Sequence, residues 1–370
     1  MTNTTDADPE APVPNASAQN RPDPPIVTSA LEGSEELWLD RFARLLGCGY
    51  IAQRIGPSVQ PSYVYAVVMV IGWTLLSASL DLFIFNNTPI YVRNPYFLLQ
   101  PIVLLGGVYA AHSLTQSYQH AISEMRISQR TSDPDQFTNL TPPWLPWALF
   151  GLAASLQLIR TIADFADFTT TGVIANGVIF PFVYAPIIVQ FCVVYVSIEF
   201  IAPWRLYSSD VGIHFLDPHG VGGLRPLGEL VKKAYYFVVA GLIAYALITY
   251  APSIAGWEIS PTAGAIFTGV WIATILTVAF AVFVLHRFLH REKRKELQRL
   301  EAELRNYIEN PWNVRQYTIP EDTADQVEDI RQRINAVSGT REFPATFSIW
   351  TQLLLSIVIP KALQLFLANT

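Results

Sequence analysis

The sequence Ala263-Gly-Ala-Ile-Phe-Thr-Gly-Val-Trp-Ile-Ala-Thr-Ile-Leu-Thr-Val-Ala-Phe-Ala-Val-Phe-Val-Leu285 runs without a break into His286-Arg-Phe-Leu-His-Arg-Glu-Lys-Arg-Lys-Glu296 and on to Glu309. Its first half is apolar over the ~20 residues that a helix needs to cross a bilayer core of roughly 30 Å. Its second half is charged. One helix therefore leaves the membrane and continues into water. A short polar helix, about Glu321 to Val337, turns back, and a last apolar run, Ala345–Leu367, ends three residues before Thr370.

Six more segments have the length and apolarity of a span: Tyr63–Phe85, Tyr96–Tyr118, Trp144–Phe165, Val173–Ile201, Leu230–Ile254 and the Ala345–Leu367 run itself. With 51% hydrophobic and 15% charged residues over 370 positions, the chain is more apolar than a soluble domain of its size. The expected fold is an all-α membrane protein of seven transmembrane helices, a multi-pass protein of the cell membrane whose constant partner is the lipid bilayer. Cys48 and Cys192 sit in different environments, so no disulfide framework is expected. No basic domain stands outside the membrane, which excludes nucleic acid as a partner.

The flanking parts divide the chain further. Residues 1–33 are rich in Pro, Asn, Asp and Thr and hold almost no large apolar side chain, the composition of a disordered acidic tail. Residues 34–57 place Leu37, Trp38, Phe42, Leu45, Leu46 and Tyr50 on one side of a helix. This is an interfacial amphipathic helix or one packed on the protein's own aqueous part. Residues 58–285 form a six-helix bundle, 286–344 a cytoplasmic helical anchor, and 345–370 the seventh span. With the N-terminus inside, 21 of the 24 Lys and Arg residues fall on the cytoplasmic side; Arg93, Arg160 and Lys361 are the exceptions. That asymmetry predicts a cytoplasmic N-terminus and an extracellular C-terminus. It is the reverse of a G-protein-coupled receptor or a rhodopsin.

Polar residues within or beside the spans are the candidate sites. Asp81 and Arg160 lie in outer halves, and Asp164 is four residues beyond Arg160. Three arrangements suit them: an Arg160–Asp164 pair with a solvated Asp81, a polar pocket open to the outside, or a proton relay. His286 and His290, four apart, and His214, Asp217 and His219 could each face a metal. Interfacial basicity and loop polarity explain them as well, and no metal or cofactor is expected. In Asp217–Gly228, three glycines in four residues predict a compact turn, with an anion nest as the alternative. Leu297, Leu300, Leu304 and Ile308 form a stripe that needs a partner, either Val327, Ile330, Ile334 and Val337 or another subunit. On the last span, Ser348, Gln352, Ser356, Ile359 and Leu363 share a face that either packs helices or lines water, while Lys361 points the other way and can snorkel outward. No nucleophile–base set or cofactor fingerprint is present, so the chain reads as non-enzymatic.

The order of spans, the prolonged sixth helix, the short return helix and the terminal seventh span resemble, in topology over residues 35–370, the insect odorant and gustatory receptor channels and the wider seven-transmembrane ion channel superfamily. The resemblance implies a homotetrameric ion channel with a central pore and a ligand pocket open to the outside. It implies pore-lining roles for Ser348, Gln352 and Ser356, a hydrophobic gate at Ile359 and Leu363, and a pocket for a small molecule near Trp73, Asp81 and Arg160. A membrane scaffold or sensor acting through the cytoplasmic helices and a small-solute transporter are the other functional classes the sequence leaves open.

Overall fold

The computed structural model describes residues 36–84, 86–163, 173–252, 261–308, 319, 323–342, 358–359 and 361–366. Among these every regular element is helical. We name α1 (Trp38–Leu45), α2 (Cys48–Ile55), α3 (Pro61–Phe83), α4 (Leu99–Glu124), α5 (Leu145–Ala163), α6 (Ala175–Ser208), α7 (Arg225–Tyr250), α8 (Pro261–Arg305) and α9 (Ala324–Gly339). Five helices are long and apolar enough to cross a membrane: α3, the helix containing α4, α6, α7 and α8. The third expected span is α5, a shorter apolar helix, and most of the expected seventh lies outside the described residues.

The bundle is built around α6. Half of its apolar window is buried, against 11% for α3. Val183, Ile187, Val189 and Val193 join one apolar cluster with α1, α3 and α4. Val194, Tyr195, Ile198, Ala202 and Leu206 join another with α4, α7 and α8. A helix apolar on all sides is stable only when surrounded, by protein or by lipid. The helices around it keep apolar side chains outward, as Leu75, Leu76, Leu156, Ile159 and Leu276 do on α3, α5 and α8. Such a belt suits hydrocarbon.

Proline sets the winding of α6. Pro181 cannot donate to the preceding turn and would clash with it. Ala175–Tyr184 is wound as a π-helix, which opens that turn. The buried Tyr65 hydroxyl donates to the Phe182 carbonyl, so the loosened backbone is satisfied from α3.

The α1 helix lies inside the protein. Trp38, Leu39, Phe42 and Ala43 are buried against α3 and α6, so this apolar face meets protein rather than lipid. Further on, Leu45, Tyr50 and Ile55 are exposed. Asp40 is buried as well. Its Oδ1 accepts the Ser62 amide, 3.0 Å away, at the first turn of α3, where an orphan N–H needs a partner. Ser62 Oγ lies 2.7 Å from His112 Nε2. The same nitrogen is 3.9 Å from Asp40 Oδ2. A proton relay needs one imidazole nitrogen for the serine and the other for the acid. Here a single nitrogen faces both, so the three residues are a clasp joining α1, α3 and α4.

The charged half of α8 packs on α9 within the same chain. Leu300, Ile308, Val327, Ile330 and Val337 are buried, so the stripe on α8 finds its partner in the return helix. Lys293 Nζ donates to the Ser338 and Thr340 carbonyls at 2.9 and 2.8 Å, capping the end of α9.

Among the buried polar groups of the described residues, one carboxyl has neither oxygen hydrogen-bonded. Glu199, fully buried on α6 within the π-helical turn Ser197–Ile201, has no hydrogen-bond partner for either carboxyl oxygen among the described residues. A buried carboxylate without a countercharge costs several kcal/mol. Glu199→Gln removes the need for one and is expected to move the thermal midpoint in detergent by less than about 3 °C, the shift that ~1 kcal/mol produces. Glu199→Arg imposes a permanent charge and is expected to abolish the monodisperse species. A loss above about 2 kcal/mol in the glutamine variant would mean that the carboxylate has an ionic partner.

Candidate functional site

The alternation of helix directions brings the far ends of α3 and α7 to the near ends of α4 and α6. A cavity of about 1100 Å³ opens there. Trp73, Ser77 and Asp81 enter from α3, Gln100 and Leu104 from α4, Asn176, Phe180 and Tyr184 from α6, and Gly241 and Tyr245 from α7. Arg93 and Asn87 come from the α3–α4 connection. The π-helical stretch of α6 forms one wall, so the local answer to Pro181 also shapes the space. Gly241 leaves room where any side chain would project.

The lining divides by chemistry. Trp73, Phe97, Phe180, Tyr184 and Tyr245 present aromatic surface, while Asp81, Arg93, Asn87 and Asn176 supply a carboxylate, a guanidinium and two amides. The Trp73 indole lies beside the Tyr184 hydroxyl. Gln157 on α5 donates to Asn176 Oδ1 at 3.1 Å. An aromatic chamber with few polar groups is the usual form of a small-molecule site.

The structure thus brings Trp73 and Asp81 into one space. Asp81 is half-buried in its wall rather than fully solvated. The Arg160 side chain and Asp164 lie outside the described residues. So do Ser348, Gln352 and Ser356. Ile359 is 52% exposed, and Leu363 is half-buried against the cluster that holds α7 and α8. Lys361 is engaged by neighbouring side chains. Its Nζ donates to Gln364 Oε1 at 2.6 Å, lies 3.3 Å from Thr268 Oγ1 and sits over the Trp271 ring. Gln364 in turn donates to the Tyr250 hydroxyl at 2.7 Å. Desolvation at that depth makes these contacts preferable to a free ammonium.

The histidines have other partners. His286 Nδ1 lies 3.0 Å from the Glu342 carbonyl, and His290 Nδ1 3.1 Å from the Glu342 carboxylate. His219 Nε2 lies 2.9 Å from Arg225. Among the described residues no group of three His, Cys, Asp or Glu side chains is placed to hold a metal.

The glycine-rich loop is a nest filled from within. Gly220, Gly222 and Gly223 have φ of +66°, +67° and +74°, and a Cβ on Gly222 would lie 2.6 Å from Ile213 Cγ2. This backbone turns three amides onto Asp217: His219 N at 3.0 Å, Val221 N at 3.2 Å and Gly223 N at 2.8 Å. The anion is the chain's own carboxylate. Arg130 locks the loop by donating to the Gly212, Met125 and Gly222 carbonyls at 2.8, 3.2 and 3.0 Å. Burial lowers the Arg130 guanidinium and the nearby Asp217 carboxylate opposes that.

Sequence reasoning missed Glu199, a single acid near the end of a long apolar run, and Asp40, whose partners are distant in the chain. No family model matches the sequence, and no curated protein or solved structure matches it either.

Burial raises the Asp217 carboxyl, but the three amides and His219 outweigh it and hold the group below its ordinary 3.8. A depressed acid contributes stability above its unfolded pKa and loses it as pH falls through the folded one. The loop should therefore be intact from neutrality to about pH 4, lose stability progressively below that, and open as pH falls through the depressed pKa. Asp217→Ala should open it at pH 7, with hydrogen exchange at Val221 and Gly223 at least about tenfold faster, the equivalent of one lost bond to a charged group. Unchanged exchange in that variant would mean that the carboxylate does not hold the loop.

Proposed function

We propose that this chain is a multi-pass membrane receptor that binds a small amphiphilic molecule in the cavity between α3, α4, α6 and α7. The observation that carries this is the cavity itself: about 1100 Å³, aromatic-walled, with Asp81 and Arg93 as its charged groups. Its volume matches an organic ligand rather than a single ion. Aromatic faces would take the ligand's apolar body, Asp81 or Arg93 a charged or hydrogen-bonding head. The cavity lies at the end of the bundle away from Lys232, Lys233 and Arg287, which under the positive-inside rule is the outside. Binding would bias a conformational equilibrium only by its difference in affinity for the two states.

One feature supports coupling to conduction. The Lys361–Gln364 side of the last helix docks on Thr268 and Tyr250, which leaves Ile359 outward, available to other copies around an axis. In a homotetramer, Ser348, Gln352, Ser356 and Ile359 would line the pore of an ion channel, while Leu363 would pack against α7 and α8 of its own chain. A scaffold acting through α8 and α9 has less support, because the apolar stripes of those helices cover each other.

A thermal-shift screen of amphiphiles on the detergent-solubilised protein checks the proposal. A true ligand at 100 times its Kd stabilises the fold by about 2.7 kcal/mol. Trp73→Ala and Asp81→Asn are expected to weaken it at least tenfold, while Trp147→Ala, outside the cavity, is not. If ligands stabilise all three variants equally, the cavity is not the receptor site. For conduction, ligand-dependent single-channel currents in planar bilayers and fourfold particles are expected. A ligand-binding monomer without current would leave the receptor and remove the channel.

A further inference from the structure

At the opposite end of the same helix pair, α4 and α7 border a second cavity of about 960 Å³. Its walls are polar. Ser113, Ser117 and His120 come from α4, and Arg225, Lys232 and Lys233 from the first turns of α7. The acids here are engaged. Glu229 pairs with Arg225 at 3.0 Å, Glu124 lies 3.6 Å from His120, and Asp217 is enclosed by its loop amides.

The two lysines differ from the other cations. Lys233 Nζ is 2.7 Å from Ser117 Oγ and 3.4 Å from the Ser113 carbonyl, and Lys232 Nζ lies over the Tyr236 ring at 5.7 Å. Neither forms an ion pair among the described residues. Both are half-buried and sit two turns into an apolar helix. Holding two adjacent ammonium groups there without a carboxylate is unfavourable unless an anion arrives. Ser117 and Ser113 add hydroxyls beside them. Tyr236 lines the cavity, 40% exposed, and one turn beyond Ser113 and Lys233 along their helices lie Tyr109, 59% exposed, and Phe237, whose ring packs against it.

Two cations and hydroxyls at one end, and exposed rings leading into an apolar groove, match a phosphate attached to an acyl chain. We infer that this cavity binds the phosphodiester headgroup of an anionic phospholipid, with Lys232 and Lys233 on the phosphate, the Ser117 hydroxyl beside it, and the acyl chains along the α4–α7 groove past Tyr109 and Tyr236. Basic pockets between membrane helices on the side rich in Lys and Arg recognise lipid headgroups in this way. The site is separate from the aromatic cavity and does not depend on it.

The test reconstitutes the full chain in vesicles of phosphatidylcholine with one tenth phosphatidylglycerol and counts retained lipids by native mass spectrometry. Selective retention of phosphatidylglycerol is expected. The double variant Lys232→Gln/Lys233→Gln should lower it about tenfold or more, since each juxtamembrane lysine contributes roughly a factor of five. Ser117→Ala, which keeps both charges, should lower it severalfold, and Lys233→Arg should retain it. The control Arg294→Gln/Lys295→Gln removes equal charge from the aqueous part of α8. If that control lowers retention as much, the attraction is diffuse and the site is overturned. If millimolar inorganic phosphate displaces the lipid and is itself retained, the cavity is a free-phosphate site and the lipid is overturned. Should the double variant not fold, Ser117→Ala and Lys232→Gln alone decide: unchanged retention in both overturns the proposal.

Discussion

A helix with no polar face cannot lie at a surface in water, and α6 has none over most of its length. The rest of the bundle follows from enclosing it. Val193 and Val194, both fully buried and adjacent in sequence, belong to different apolar clusters, because neighbouring residues on a helix point about 100° apart. The helix is thereby the wall shared by two packed regions, α1, α3 and α5 on one side and α7 and α8 on the other. Each buried aliphatic side chain stabilises by about 1.5–3 kcal/mol where the alternative is water. In lipid that gain falls away, and close packing and satisfied polar groups decide the arrangement.

This explains why polar contacts carry so much of the specificity. Asp40 on Ser62, Tyr65 on the Phe182 carbonyl, Gln190 on the Leu39 amide at 2.9 Å and Tyr195 on Thr277 at 2.8 Å each bind α3, α6 or α8 to a neighbour at one register. An apolar surface can slide by a turn at little cost; a buried hydrogen bond cannot. Glu199 is the exception on the same helix, and it lies where the winding is π-helical, as loosened winding often marks a site of function.

Much of the architecture was legible because the signals are local. Span length on α3, α4, α6, α7 and α8, the continuation of α8 beyond Leu285, and the matched stripes around Leu300 and Ile330 all follow from counting residues. Asp81 was legible as a candidate because a charge within a span is uncommon, while Trp73 entered only through the family resemblance. What joined them was not legible: the opposing wall comes from Asn176, Tyr184 and Tyr245, more than 90 residues on, and its shape from the winding around Pro181. The Asp217 loop shows the same limit. Its glycines announce a nest, but only three dimensions reveal that the acid at its start supplies the anion.

The two cavities share α4 and α7, one at each end. From Tyr236 to Tyr245 the rise along α7 is about 13 Å. Between them the helices are held by Ala111, Leu114, Ala234, Val238 and Leu242, all buried. The small side chains at Ala111 and Ala234 bring the backbones close and leave few rotamers through which a change at one end could be absorbed. An occupant that spread the helices at the aromatic end would therefore have to tilt or shift them as rods. The α8 helix packs on α7 and carries the charged hairpin with α9, so such a displacement would reach that hairpin. Coupling of this kind needs two discrete packings of the α4–α7 pair rather than a chain of contacts. The loosened winding of α6 at Ala175–Tyr184 and Ser197–Ile201, one stretch near each end of the helix between them, is where the fold has the slack for a second.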